Sequence, residues 1–591
     1  MNHKLSQITI QNYKSIISHE FDLTDYTPLI GYNNAGKSNL LSGIKWLLRK
    51  SSLSVESFNS PNDPVTIEGK IEGIDDALLG SLTAPHKASI KPYIDNGELR
   101  IKRVQNQPGD TVTNIKLFVY DSREDAEENP WVANPNGIDG AISALFPESI
   151  HIGAMENSEE DVSKPKTTST IGKLLSEIIG PIETQYGAQV TAALNSLKDI
   201  LDAEGLNRAP ELTQFDTEVN QKIDNFFPDV NIRLHVPTPE LKEVFNKGTI
   251  KVYESHSPNG RDVSALGHGA QRSIQMALIR HLAELKRASQ THNTTTLLLI
   301  DEPELYLHPH AIEIVRDALK MLSTQGYQVI FSTHSAMMVT QADMANAILI
   351  RKDNAQGTHK KLTLKHAVSQ IAQDAPSQIQ LIYSLSNSSK ILFSERVILT
   401  EGKTEQRILP KIIEKITGKT LGLHKYALIR QDGVTNTKKS LAVLDVMGLP
   451  SKAIVDLDYA FKNATTDGFL AANDPDVTAC HQFLAQIAVS NGIDLGNDGW
   501  PKTNTRYTAA EAVAFLASHA QIYLNIESLH VKLLAHNIWV WKKGAIEKHI
   551  GITGKSEQVW SNFVTQMQTQ SLQDIVPDYP GVEECIVWLT D

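Results

Sequence analysis

The chain has 591 residues, 41% hydrophobic and 21% charged, which is ordinary usage for a soluble globular protein and leaves room for about three or four domains. A net charge of −12 and a pI of about 5.9 exclude a generally basic nucleic-acid coat, although carboxylates that hold metal ions remain compatible with DNA as a partner. No run of about 18 apolar residues exists to cross a membrane. Met1 to Ser6 lacks the apolar core of a signal peptide, and the two cysteines, Cys480 and Cys585, fit a reducing cytosol, so a cytoplasmic location is expected. Cys480-His481 is half of a zinc pattern with no second pair to complete it.

In chain order, Ile8 to Ile16 and Thr27 to Ile30 read as short strands and Asn39 to Arg49 as a helix. Gly31-Tyr32-Asn33-Asn34-Ala35-Gly36-Lys37-Ser38 lies between them and fits the phosphate-loop pattern G-x-x-x-x-G-K-[ST]. Its glycines let backbone N–H groups close on phosphate oxygens, Lys37 adds a cation and Ser38 reaches magnesium. All of this sits at a helix N-terminus, whose dipole favours an anion. Asn34, Gly36, Lys37, Ser38 and Asn39 are the expected ligands of ATP.

Val65 to Gly73, Leu99 to Val104, Asn114 to Tyr120 and Glu148 to Ala154 read as further strands beside that loop. Ser158 to Thr170 is polar and loop-like. Ile171 to Phe227 then carries helical spacing, as in Ile171, Leu174, Leu175 and Ile178, and reads as two or three inserted helices whose apolar face suits a second copy. Val230 to His235 and Thr249 to Ser255 are expected strands, Ala270 to Ala288 a long helix and Gln328 to Ser332 a short strand. Thr296 to Ile300 is an apolar strand ending in Asp301-Glu302. Asp301 is placed to hold magnesium, and Glu302 to polarise the water that attacks the γ-phosphate.

A second alternation of strands and helices starts near Glu395, with strands at Arg396 to Thr400, Tyr426 to Arg430, Ala453 to Val455 and Ile538 to Trp541. The first runs into Glu401 and a helix start carrying Glu405. The third ends in Asp456-Leu457-Asp458, where period-two geometry puts both aspartates on one side of a strand. Glu401, Glu405, Asp456 and Asp458 are suited to cradle two divalent cations about 4 Å apart, the pair that hydrolyses a phosphodiester. Magnesium is expected, with manganese or calcium as alternatives. Gly433 allows a tight turn after the second strand. Phe461 to Asn537 reads as an insertion that shapes substrate access.

Three segments carry a family resemblance. Ser264-Ala265-Leu266-Gly267-His268-Gly269-Ala270-Gln271-Arg272 resembles the signature of ABC-type ATPases, which caps ATP on the opposite subunit. Gly267 stands where serine is usual and His268 replaces a glycine; Gly267 and Gly269 are the contacts it implies. Ser332-Thr333-His334-Ser335 resembles the switch-histidine segment and implies His334 at the nucleotide. Glu302-Pro303-Glu304-Leu305-Tyr306-Leu307-His308-Pro309 is similar to a subgroup that includes the overcoming-lysogenization-defect (OLD) nucleases. The second α/β domain resembles a Toprim domain, the metal-binding fold of topoisomerases, primases and several nucleases.

The resemblance to OLD nucleases covers nearly the whole chain. It implies an α/β protein: an ABC-type P-loop ATPase over 1–157 and 230–390, a helical dimerisation insertion over 158–229, and a Toprim nuclease domain over 391–591. It also implies a catalytic lysine near the last Toprim strand. The matching segment Trp539 to Glu547 offers Lys542, with Lys543 beside it and Glu547 supporting the metal site. The activity implied is an ATP-regulated, metal-dependent DNA endonuclease in anti-phage defence, working as a homodimer or homotetramer. Some relatives act beside a UvrD-like helicase, others with a retron reverse transcriptase and its RNA–DNA product. The alternatives are a repair-type ABC ATPase or ATP-driven switch with a non-nucleolytic Toprim domain, and a nuclease acting on RNA or tRNA.

Overall fold

A computed structural model describes residues 3–123, 130–146, 149–153, 170–237, 243–244, 249–254, 257–288, 295–371, 389–431 and 434–591. They form two compact units: Met1–Thr27 with Ser38–Met338, and Pro28–Lys37 with Val339–Asp591.

The first unit opens with β1 (Lys4–Tyr13) and β2 (Ile16–Asp22), an antiparallel hairpin where the sequence suggests one strand over Ile8 to Ile16. The reversal comes from Lys14, whose φ of 51° turns the chain so that Ile16 pairs back with Tyr13. The chain passes between units inside β3 (Tyr26–Ile30) and again at the first residue of α1 (Lys37–Leu48). β4 (Val65–Glu72), β5 (Leu99–Gln105), β6 (Lys116–Tyr120) and β7 (Trp131–Ala133) extend an antiparallel sheet in the order β7-β6-β5-β4-β1-β2. Alternation in β4 and β5 buries Val65, Ile67, Ile71, Leu99 and Ile101 on one face.

β8 (Ser149–Ile152) follows, then the expected inserted helices α2 (Thr170–Leu201) and α3 (Pro210–Ile223). Residues 158–169 of the expected polar loop lie outside the described residues. Val230 to His235 forms no ladder strand. Side chains of α3 take its backbone instead: Asn220 bonds both the N–H and the C=O of Ile232, and Asp216 accepts the Leu234 N–H at 2.9 Å. β9 (Lys251–Glu254) and β10 (Ser257–Asp262) pair as a hairpin before α4 (His268–Ala288). β11 (Thr296–Asp301) lies between β8 and β12 (Tyr327–Thr333), all parallel. Every residue of β11 and β12 is buried, which is why they read as continuous rather than alternating strands.

In the second unit, Leu29 and Ile30 pair parallel with β13 (Ile348–Asp353), which turns back into β14 (Gly357–Lys360). A four-stranded sheet then uses β15 (Arg396–Thr400), β16 (Tyr426–Arg430), β17 (Ser451–Val455) and β18 (Ile538–Val540) in the order β16-β15-β17-β18. All its pairings are parallel, so the C-terminal ends of the four strands share one edge. The crossovers that parallel pairing demands are α5 (Lys403–Thr417) and α6 (Thr437–Val446). Between β17 and β18 run α7 (Leu457–Lys462), α8 (Pro475–Asn491), α9 (Ala509–Ala517) and α10 (Tyr523–Leu534). After β18 come α11 (Ile546–Ile550), α12 (Glu557–Thr569) and α13 (Tyr579–Thr590). Ile398, Ile408, Ile454, Trp539, Trp541, Trp560 and Phe563 belong to one buried core. The expected turn glycine, Gly433, lies outside the described residues. Among the described residues no helix is long and apolar enough to cross a membrane.

Candidate functional sites

The phosphate loop closes on its own backbone. Gly36 has a φ of +101°, and a Cβ there would sit 2.2 Å from Thr358 Oγ1, so only glycine fits. Thr358 in turn donates to the Ala35 carbonyl at 2.8 Å. Asn34 stands exposed with φ 64°, a left-handed conformation that asparagine tolerates. Lys37 is buried, and its Nζ donates to the carbonyls of Gly31 at 3.0 Å and Tyr32 at 3.2 Å.

In the first unit, Ser38 Oγ donates to Asp301 Oδ2 at 2.5 Å. Ser332 Oγ donates to the other Asp301 oxygen. Arg272 holds the carbonyls of Asp301 and Glu302 at 3.1 and 3.2 Å, which fixes the end of β11. Glu302 adopts a φ of 50° and accepts from, or ion-pairs with, His334 Nε2 at 3.3 Å. Glu304, unassigned at the sequence level, explains why that histidine is where it is. Its Oε1 accepts the Thr333 hydroxyl at 2.7 Å and the His334 N–H at 2.8 Å. Burial pushes the Glu304 carboxyl up from its ordinary range. The Gly267 carbonyl accepts the Ala270 and Gln271 amides at the start of α4. Gly269 lies against the Tyr306 carbonyl, and His268 packs its ring 5.2 Å from that of Tyr306. Asn39, expected at the nucleotide, donates to Ser15 Oγ at 2.6 Å.

At the Toprim sheet edge, Glu401 follows β15 and Asp456 follows β17, so parallel pairing sets them side by side. Glu401 Oε2 accepts the Asp456 N–H at 3.2 Å. The two aspartates are not on a strand: β17 stops at Val455, Asp456 caps α7, and Asp458 lies in its first turn. Period-two geometry therefore does not apply to them, and the helix start brings them together instead. Glu405 is buried in the first turn of α5. A Cβ at Gly402 would sit 2.6 Å from Glu405 Oε2, so glycine makes room for that carboxylate.

Burial pushes Glu401 up to about 7, with Asp458 adding to the shift, and burial likewise pushes Glu405 up to about 7, with Glu547 adding. Asp456 is raised well above its ordinary range by burial and then by Glu401 and Glu405. Burial raises Asp458 as well. Asp458 Oδ1 is buried without a hydrogen-bond partner among the described residues. Crowded, desolvated carboxylates with an unsatisfied oxygen are a donor set for hard divalent cations. Among the described residues no three donors close on a single point.

Lys462 acts on Asp458, and the cation that acts on all four acids is Lys555, which the sequence does not single out. Burial lowers its pKa, but Glu547, Asp456 and Glu405 more than compensate and hold the ammonium above its ordinary range. Its charge acts on Glu401, Glu405, Asp456 and Asp458 alike. It lies 3.3 Å from Glu547 Oε1, and Glu547 also accepts the Thr404 hydroxyl at 2.6 Å. Lys542 is engaged elsewhere, 3.0 Å from Glu527 and 3.6 Å from Glu584. Lys543 pairs with Asp578 at 3.2 Å. Proximity in sequence to β18 pointed to Lys542, but the loop after α11 is what returns a lysine to the carboxylates.

Residues 392–458 match the family model described as overcoming lysogenization defect protein-like, TOPRIM domain. Residues 27–338 match one described as "AAA domain, putative AbiEii toxin, Type IV TA system". The chain is 38% identical to the Old nuclease of Escherichia phage P2 over 100% of both chains. It belongs to the OLD nuclease family. Within reach of that family are endonuclease GajA of Bacillus cereus (strain VD045), 22% identical over 70% of this chain and 68% of that one, and the OLD nuclease of Thermus scotoductus (strain ATCC 700910 / SA-01), 21% identical over 80% and 82%. A solved SMC head bound to the C-winged helix domain of ScpA aligns with a TM-score of 0.37 at 15% identity, over 61% of this chain and 99% of that one. The chain is an OLD-family nuclease with an AAA-type ATPase domain and a Toprim domain. The Toprim match ends at Asp458, before either candidate lysine.

Proposed function

We propose that the chain is an ATP-regulated, divalent-metal-dependent DNA endonuclease whose cleavage centre is the carboxylate cluster at the C-terminal edge of the Toprim sheet. The observation that carries this reading is the burial together of Glu401, Glu405, Asp456 and Asp458, with raised pKa values and an unpartnered Asp458 oxygen. A pair of divalent cations there supplies the charge that activates a water and steadies the leaving oxygen of a phosphodiester. Glu401, Glu405, Asp456 and Asp458 would hold these ions, with Glu547 fixing Lys555. Lys555 offsets charge on the phosphate as it develops.

In the ATPase, Lys37 and the loop amides hold the phosphates, Ser38 and Asp301 hold magnesium, and Glu302 orients the attacking water under His334. Asn34, Gly267 and Gly269 complete the nucleotide contacts. The ATPase occupies 1–157 and 230–390, the insertion 158–229 and the nuclease domain 391–591. Assembly as a homodimer or homotetramer through the insertion is supported by the apolar side chains it leaves open, Leu197, Ile200, Phe215, Phe226 and Phe227. A cytoplasmic role in anti-phage defence follows from the family resemblance.

The test is cleavage of plasmid and linear DNA by the purified chain with magnesium or manganese, with and without ATP, beside Glu401→Ala. Metal-dependent cleavage lost in the variant is the expected result, and the ATP arm gives the sign of control. Cleavage that survives in Glu401→Ala would remove the cluster as its centre.

A further inference from the structure

Lys542 and Lys543, absent from the carboxylates, line a cavity of about 1060 Å³ on the β18 flank of the same sheet edge. Its walls come from α9, the start of α10, the loop after β18, α11 and the start of α13. The segment read as an insertion over Phe461 to Asn537 therefore builds half of it.

Two kinds of side chain meet there. The first is aromatic: Arg506 lies over the Tyr507 ring at 5.3 Å, Tyr507 leads to Phe515 with ring centroids 6.0 Å apart, and Tyr523 is 59% exposed. The second is cationic. Lys542 and Lys543 are neutralised by Glu527, Glu584 and Asp578. Arg506 and Lys548 are both exposed, and among the described residues neither forms an ion pair with a carboxylate, although the charge of Lys548 reaches Glu511 through space.

The placement ties this cavity to the cleavage centre. α11 is a shared wall: Glu547 bonds Thr404 and Lys555 on the carboxylate side, while the next two residues, Lys548 and His549, line the cavity. Ring faces at a cavity wall recognise the flat faces of bases, which only an unpaired strand presents.

We propose that this cavity holds an unpaired DNA strand beside the cleavage centre, with a base against the exposed ring of Tyr523 and phosphates on Arg506 and Lys548. The proposal rests on the nuclease reading of that sheet edge. It gives the enzyme a preference for substrates with a frayed, gapped or single-stranded segment next to the cut.

The test is fluorescence anisotropy of the full chain with a labelled oligothymidylate, in EDTA and without ATP, so that no cleavage occurs. A blunt duplex of equal length and dTMP serve as competitors. The wild-type chain is expected to prefer the oligothymidylate to both. The Arg506→Ala/Lys548→Ala double variant is expected to weaken binding about tenfold and to lower the salt slope by about 1.4, that is, by about 0.7 for each of two phosphates. Tyr523→Ala is expected to weaken it about fivefold with the slope unchanged. All three side chains are exposed, and unchanged thermal unfolding checks that the variants fold. Wild-type affinity in both variants, or equal losses on duplex and oligothymidylate, would overturn the proposal. So would displacement by dTMP as readily as by the strand, which would assign the cavity to a free nucleotide. The two readings fail separately. Unchanged binding with cleavage lost in Glu401→Ala sinks the strand cavity alone, and lost binding with no metal-dependent cleavage sinks the nuclease reading alone.

Discussion

At the end of β11, Asp301 accepts hydrogen bonds from Ser38 and Ser332, and Glu304 accepts them from Thr333 and the His334 amide. At the ends of β15 and β17, Glu401, Glu405, Asp456 and Asp458 are buried within reach of Lys555, and Lys462 acts on Asp458 as well. The first centre is largely satisfied: hydroxyls and an amide occupy both Asp301 oxygens and one Glu304 oxygen, and only Glu304 Oε2 is left buried without a partner among the described residues. In the second centre burial raises all four acids above their ordinary range, which favours their protonated forms. One site is poised by hydrogen bonding, the other by the burial of its acids.

The largest effects separate the two centres. Glu401→Ala or Asp456→Ala is expected to lower DNA cleavage at least about 10³-fold with ATP hydrolysis intact. Lys37→Ala is expected to abolish nucleotide binding, read by calorimetry. If Asp456→Ala lost ATP hydrolysis and kept cleavage, the assignment of the two centres would be reversed.

Within the second centre, Lys555→Ala should cost cleavage about 10²-fold. Lys542→Ala, whose charge is already paired, should stay within about threefold. The opposite order in a cleavage time course would return the catalytic role to Lys542.

Within the first centre, Glu304 acts as a positioning residue. Glu304→Ala is expected to lower kcat for ATP hydrolysis about tenfold with KM unchanged. Glu304→Gln should restore it, because both hydrogen bonds end on one oxygen that an amide also provides. Equal losses in both variants would mean that the charge, not the acceptor, matters.

The smallest effect tests the contrast itself. Folded Glu401 and Glu405 titrate at about 7, against 4.5 for an ordinary glutamate, so the folded chain binds more protons between those values. Stability of the metal-free protein must then fall as pH rises from about 4.5 through 7. A melting temperature a few degrees lower at pH 8 than at pH 5 is expected. Added calcium should raise it more at pH 8. A calcium shift that is equal at both pH values would show that burial does not hold these acids protonated in the metal-free fold.

Much of this was legible in residue order. The loop from Gly31 to Ser38 is readable because its ligands are mostly the backbone of one turn, so composition and spacing alone specify them. Asp301-Glu302 is readable because a strand buried on both faces writes itself as an unbroken apolar run that stops at the acids. The Toprim strands are legible for the same reason, and Glu401, Glu405, Asp456 and Asp458 stand at their ends. The geometry around those acids was not: Asp456 and Asp458 follow a strand that ends one residue earlier than their spacing suggests. Asn39 likewise turns to Ser15, a partner on a strand the loop motif says nothing about.

The sequence by itself determined the two chemistries and their order along the chain, because each rests on short segments whose residues act together locally. Only the tertiary structure decided which lysine serves the carboxylates and what the long insertion builds. Lys555 sits in a Gly-Lys-Ser loop with no local mark, and its place beside Glu547 and the carboxylates comes from how the segment between α11 and α12 packs. Lys542 and Lys543 carry the mark of a strand end, yet salt bridges with Glu527, Glu584 and Asp578 hold them in a separate cavity. Long-range charge pairing leaves no periodicity in a sequence, since its partners are chosen by how elements pack and not by how they are spaced.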